Sequence, residues 1–147
     1  MFIKMHLDFP ALPGWVFTML YLLDTSTFLW MAGDPGQLSE RVTEIVLDQR
    51  NKLYLSAASG WEIALLHRLH RIDIPDKPQR FIPEVMQRLS ILPIPIGFST
   101  AIAAAMLPLI HRDPFDRIII AEAVKQKMTV ITKDQKFADY GVKLLWE

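Results

Sequence analysis

Leu20-Tyr-Leu-Leu23 is an unbroken apolar run that stops at Asp24. A strand with one wet face alternates apolar and polar residues, whereas an unbroken run marks a strand buried on both faces. Such a strand belongs to a parallel sheet, whose crossovers require helices on either side. The chain downstream supplies them in alternation. Thr25, Ser26 and Thr27 offer hydroxyl caps for a short helix carrying Phe28, Leu29 and Trp30, and Gly33-Asp-Pro-Gly36 is a turn. Ser39 and Glu40 open a helix with Val42, Ile45 and Val46 inside, and Leu53-Tyr-Leu55 is a second strand. Ser56 or Ser59 caps a helix running to about His70, and a further amphipathic helix covers 81–89. Ile91–Ile96 is a strand or extended connector interrupted by prolines. Ser99 or Thr100 starts an almost wholly apolar helix over Ala101–Leu107. Met128–Thr132 and Val142–Leu145 are the last strands, with a turn or short helix at Phe137–Gly141 between them. This alternation predicts a three-layer α/β sandwich around a mainly parallel sheet of about five strands.

Residues 1–19 are set apart: Asp8, Pro10, Pro13 and Gly14 break every apolar run in them. They are expected to be an N-terminal extension, with the compact domain spanning 20–147. The extension is either a tail or an arm that packs on a neighbour through Phe9, Trp15 and Phe17. Trp15–Leu23 is too short for a membrane span, which needs about 20 apolar residues, and nothing resembles a secretory signal. The 16 basic and 16 acidic residues cancel, so any attraction to nucleic acid must come from a local patch. No cysteine is present, which removes disulfides, thiol catalysis and Cys-ligated zinc and fits a cytoplasmic location.

The acids carry the chemical signal. His111-Arg-Asp-Pro-Phe-Asp-Arg-Ile-Ile-Ile-Ala-Glu-Ala123 sets Asp113 and Asp116 around a Pro-Phe turn and then runs into a helix. Ile119, Ile120, Ala123 and Val124 form one apolar stripe with Asp116 at its head. In the helix that runs to about His70, Ala58, Trp61, Leu65, Leu66 and Leu69 are the apolar positions, and Glu62 falls on the same side as Leu65, Leu66 and Leu69. Asp24 and Asp134 each stand just after a strand. Parallel sheets carry their sites beyond the carboxyl ends of their strands, so Asp24, Glu62, Asp116 and Asp134 are expected to converge. Converging carboxylates repel one another unless a hard cation binds them, and oxygen ligands suit Mg²⁺ or Mn²⁺. The matching chemistry is metal-assisted phosphodiester hydrolysis.

Leu-Leu-Asp24-Thr, Ser-Ala-Ala-Ser-Gly-Trp-Glu62-Ile, His-Arg-Asp-Pro-Phe-Asp116-Arg-Ile-Ile-Ile-Ala and Ile-Thr-Lys-Asp134 stand in the order found in PIN-domain nucleases. The chain most resembles the VapC-like toxins of toxin–antitoxin pairs, over about Leu20–Trp146. The resemblance implies a homodimeric, Mg²⁺- or Mn²⁺-dependent ribonuclease held inactive by a cognate antitoxin. It implies an acidic quartet of Asp24, Glu62, Asp116 and Asp134, and nothing for the first 19 residues. Candidate contacts to an RNA substrate are Thr25, Ser26, Arg112, Arg117, Thr132 and Lys133, with Lys136, His67 and Arg68 as further basic residues. Asp113 is expected to be a turn or cap residue, His111 a structural hydrogen-bonder, and Trp61 and Phe115 core. Two other functions are open to the same acids. A phosphatase with Asp24 as nucleophile needs a second acid two positions on, where Ser26 stands. A catalytically inactive PIN-like module would use the acidic pocket only to bind a partner.

Overall fold

The computed structural model describes residues 18–147. Residues 1–17, most of the expected extension, lie outside the described residues. The first described backbone contact is with the sheet: Lys52 N–H donates to the Met19 carbonyl at 3.0 Å.

Five parallel strands form one sheet in the order β3-β2-β1-β4-β5. They are β1 (Leu20–Leu23), β2 (Lys52–Ser56), β3 (Ile91–Ile94), β4 (Thr129–Ile131) and β5 (Leu144–Leu145). The helices are α1 (Thr25–Gly33), α2 (Glu40–Leu47), α3 (Ala57–Arg68), α4 (Pro78–Arg88), α5 (Phe98–Met106) and α6 (Pro114–Gln126), with short 3₁₀ segments at Pro35–Gln37 and Gln135–Tyr140. The expected sandwich is therefore present. β1 is the central strand and is buried on both faces. Tyr21 and Leu23 join Phe28, Met31, Val42, Ile63 and Val85 in the core under α1–α4. Leu22 points the other way, to Ile119, Ile120, Ala123 and Phe137. This is the two-residue side-chain period of a strand with a layer on each face. Pro93 sits in β3, at the sheet edge, where a missing N–H costs no ladder bond to an inner strand.

Several local expectations change. The cap of α1 is Asp24, whose carboxylate accepts from Thr25 N–H at 2.7 Å, and not one of the hydroxyls after it. α5 begins at Phe98 behind Gly97. Thr100 is drawn inside instead, donating to the buried Glu122 Oε2 at 2.7 Å. The α3 stripe is not a core face. Ala58, Ser59 and Ile63 face the core, while Trp61 is 58% exposed and Leu69 54%. Trp61 instead meets Phe115 edge-on at 4.9 Å, so neither ring is a core filler. On α6, Ile119, Ile120 and Ala123 are buried as expected, but Val124 is exposed.

Strand order reverses direction at β1. The chain runs outward through β2 and β3, then returns to β4 on the other side. In open α/β sheets the crevice at such a switch point, beyond the carboxyl ends of the strands, is where ligands are held.

Candidate active site

Asp24 follows β1 and Asp134 follows β4, the two strands that meet at the switch point. The β1–β4 ladder continues through Asp24 N–H, which donates to the Ile131 carbonyl at 3.1 Å. Thr132, fully buried at the end of β4, ties the two acids together. Its hydroxyl donates to Asp24 Oδ2 at 2.8 Å and accepts from Asp134 N–H at 3.0 Å. Asp134 also accepts from Lys136 N–H through Oδ1 at 2.9 Å, leaving Oδ2 turned inward.

The other two acids arrive on helices. Asp113 caps α6, its Oδ1 accepting from the N–H groups of Phe115 and Asp116, and Pro114 fills the first turn where no N–H is needed. Asp113 is thus the cap residue expected, and Asp116 is carried one turn on toward the crevice. Glu62 comes from the middle of α3. Asp24, Glu62, Asp116 and Asp134 line one cleft of about 470 Å³, with Ser26 and Lys133 among its polar walls and Leu29, Trp30, Leu66 and Ile72 among its apolar ones. Four acids scattered over the sequence from 24 to 134 therefore converge as expected. Glu62 reaches the cleft although the reasoning that brought it there was only half right. Its neighbour Leu66 borders the cleft, while Trp61, Leu65 and Leu69 lie outside it and exposed.

Electrostatics fit the crowding. Asp116 is pushed from 3.8 up to about 8, first by desolvation and then by Asp24, Asp113, Glu62 and Asp134. Burial also raises Asp24, against the hydrogen bonds from Thr132 and Thr25 that favour its charge. Glu62 is raised by burial, with Asp113 and Asp24 adding and the Thr25 hydroxyl offsetting part. Asp113 thus adds charge to the group while serving as a cap, a contribution the sequence reading missed. No lysine or arginine makes an ion pair with any of these acids among the described residues; His111 is the one base beside them. Hard carboxylate oxygens at this density, with raised proton affinities, are a donor set for a divalent cation.

The expected substrate contacts divide. Thr25, Ser26 and Lys133 line the cleft, and Arg112 is exposed where the chain enters α6. Arg117 and Thr132 are turned to the fold. Arg117 is buried, and its guanidinium donates to the carbonyls of Ala105, Leu107, Pro108 and His111 at 2.8–3.2 Å. It closes the end of α5 and the loop to α6, so it has no free fork for a phosphate. The Thr25 hydroxyl stands at the cleft, bonded to Ser59 Oγ at 2.9 Å and near enough to Glu62 to favour its charge, and Thr132 is spent on Asp24 and Asp134. His67 and Arg68 line a different hollow, between α3 and α4. His111 is a structural hydrogen-bonder as expected, but its Nε2 also reaches Asp116 Oδ2 at 2.9 Å and Asp134 Oδ2 at 3.5 Å.

Comparison with known proteins agrees with this architecture. Ribonuclease VapC22 of Mycobacterium tuberculosis is 24% identical over 122 residues, covering 81% of this chain and 90% of that protein. Ribonuclease VapC16 of the same organism is 40% identical over 52 residues, a stretch covering 35% of this chain and only 37% of that protein's length. In fold, the chain is similar to a chain of VapBC2 from Rickettsia felis bound to a DNA fragment from its promoter, with a TM-score of 0.66 at 17% identity over 88% of this chain and all of that one. It is also similar to DNA-bound VapBC from Salmonella typhimurium, with a TM-score of 0.60 at 18% identity over 87% of this chain and 98% of that one. The family model of the PIN domain matches residues 21–143, and the chain belongs to the PIN domain family.

Proposed function

We propose that the protein is a metal-dependent endoribonuclease of the VapC kind, acting in the cytoplasm as the toxin of a toxin–antitoxin pair. The observation that carries the reading is the convergence of Asp24, Glu62, Asp116 and Asp134 on one cleft at the switch point of the sheet. The kinship with proteins named as VapC ribonucleases, and the folds shared with VapBC complexes, support it.

In this reading the four acids hold Mg²⁺ or Mn²⁺, and Thr132 fixes Asp24 and Asp134 in register for it. Such an ion, when bound, lowers the pKa of a coordinated water and offsets the charge that develops on the scissile phosphate. Lys133 and Ser26 on the cleft wall, and the exposed Arg112 just before α6, bind phosphates of the flanking backbone. Leu29, Trp30, Leu66 and Ile72 narrow the cleft, which favours a splayed single strand over a stiff duplex. The phosphatase alternative fits less well: both Asp24 oxygens accept hydrogen bonds from the fold, and Ser26 supplies no second acid.

Two partners follow. The exposed apolar side chains Phe98, Ile102, Met106, Leu109 and Ile110 lie on and just after α5, apolar surface suited to a second copy in a symmetric dimer. An antitoxin would place a cationic side chain among the acids and an apolar segment against Trp61, Leu65 and Leu69 beside the cleft. Among the described residues no helix is long and apolar enough to cross a membrane.

The test is incubation of the purified protein with mixed cellular RNA in Mg²⁺ or Mn²⁺, and again with chelator. Cleavage that chelator abolishes and Asp24→Asn removes is expected. Cleavage unaffected by chelator, or none under any ion, would overturn the reading.

A further inference from the structure

His111 is held from several directions. Its backbone N–H donates to Tyr140 Oη at 2.6 Å, and its carbonyl accepts from Arg117 Nη1 at 3.0 Å. Its ring stands edge-on to Phe137 with centroids 6.0 Å apart. Nδ1 accepts from the backbone N–H of Asp113 at 3.2 Å. An imidazole nitrogen that accepts a hydrogen bond carries no proton, so the ring proton is on Nε2.

That Nε2 lies 2.9 Å from Asp116 Oδ2 and 3.5 Å from Asp134 Oδ2. It is buried and makes an aligned hydrogen bond to neither, the sole such side-chain atom among the described residues. Ligand atoms of His111, Asp116 and Asp134 all fall within 4.8 Å of one another, a spacing that could pass for three ligands of one ion. The other side of the ring argues against that. A metal-bound imidazole turns its remaining N–H toward an acceptor such as a carbonyl or carboxylate. Here the remaining nitrogen faces a donor, the Asp113 N–H, so Nε2 has a hydrogen to offer and no lone pair.

We propose that His111 is a positioning residue and not a metal ligand: its Nε2–H stands between the carboxylates of Asp116 and Asp134 and draws together two acids delivered by separate elements. The inference rests on the nuclease reading only where it concerns metal binding; the ring geometry is independent of it. Arg117 and Tyr140 then serve the site at one remove, by fixing the backbone from which this ring projects.

The variants are chosen by reach. His111→Gln places an amide N–H as far from the backbone as Nε2, whereas His111→Asn retains an acceptor near Nδ1 and cannot reach between the acids. Calorimetric titration with Mn²⁺ should show the Asn variant binding about 10–100-fold more weakly with unchanged stoichiometry, the scale for losing a group that orients a ligand. The Gln variant should stay within several-fold of wild type. Two measurements use the wild-type protein alone. Long-range ¹H–¹⁵N NMR of the metal-free protein should show the Nε2–H tautomer at His111. Pulsed EPR of the Mn²⁺-loaded protein should show no directly coordinated imidazole nitrogen. A coordinated nitrogen, an Nδ1–H tautomer, or a Gln variant as weak as the Asn variant would overturn the proposal. Failure of the wild type to bind Mn²⁺ would instead sink the nuclease reading, and the tautomer would still decide how His111 is used.

Discussion

Replacing Asp116 with Asn should separate the role of this acid in the site from any role in the fold. Its carboxyl is raised from 3.8 to about 8, chiefly by desolvation and then by four neighbouring acids. At pH 7 an unfolded Asp116 is ionised, while the native one keeps its proton. Holding a proton roughly three units above the free pKa costs ~4 kcal/mol at 1.36 kcal/mol per unit. Asn keeps the shape without the proton requirement, but its amide must still be desolvated and loses the approach to His111. About half the cost, ~2 kcal/mol, should be recovered, which raises the melting temperature in chelator by roughly 5–10 °C for a domain of this size. The sign follows from the raised native pKa. Between about pH 4 and 8 the native state binds more protons than the unfolded one, so wild-type stability falls as pH rises through this window. The advantage of the variant should therefore grow from pH 4 to pH 8 and be reversed near pH 4, where the wild type sheds most of the proton cost while the amide keeps its own. Mn²⁺ should raise the melting temperature of wild type clearly and of the variant little. RNA cleavage by the variant should drop at least ~100-fold. The assay is a set of melting curves for both proteins across pH, with chelator and with Mn²⁺. A variant that melts below wild type in chelator at pH 7, or an advantage equally large at pH 4, would refute the reasoning.

Arg117→Met should unfold in urea with a loss of ~3–5 kcal/mol, because it strips donors from the carbonyls of Ala105, Leu107, Pro108 and His111; an unchanged midpoint would contradict this. Thr132→Val should weaken Mn²⁺ binding ~10–100-fold, since it frees Asp24 and Asp134 from their shared hydroxyl, as calorimetry would read. Ile102→Glu, on the exposed face of α5, should convert a dimer in light scattering to a folded monomer; a wild-type protein that is monomeric at micromolar concentration would remove the premise.

What the sequence conveyed depended on whether the signal was local. The Leu20–Leu23 run announced a doubly buried central strand because burial on both faces leaves no room for alternation. Asp113-Pro-Phe-Asp116 announced a helix start because a cap, a proline and a first-turn acid are local chemistry. The α3 stripe misled because periodicity says which residues share a face, not what the face meets. Leu65 and Leu69 form a stripe turned to solvent, while the core takes Ala58, Ser59 and Ile63. Arg117 was misjudged for a related reason. A cation near an acidic pocket looks like a phosphate contact until the fold lays four carbonyls from an upstream loop against it. Thr132 holds an acid 108 positions before it, a link that no spacing along the chain can express.

The order in which the acids occur along the chain has its own consequence. Asp24 comes first, yet its Oδ2 is held by Thr132, and its crevice is closed only when β4 enters the sheet beside β1. A polypeptide still being translated therefore lacks both the last acid and the wall of the site until most of it has emerged from the ribosome. Under the proposed ribonuclease function, a nascent chain therefore carries no complete site while it is still attached to the ribosome and its message.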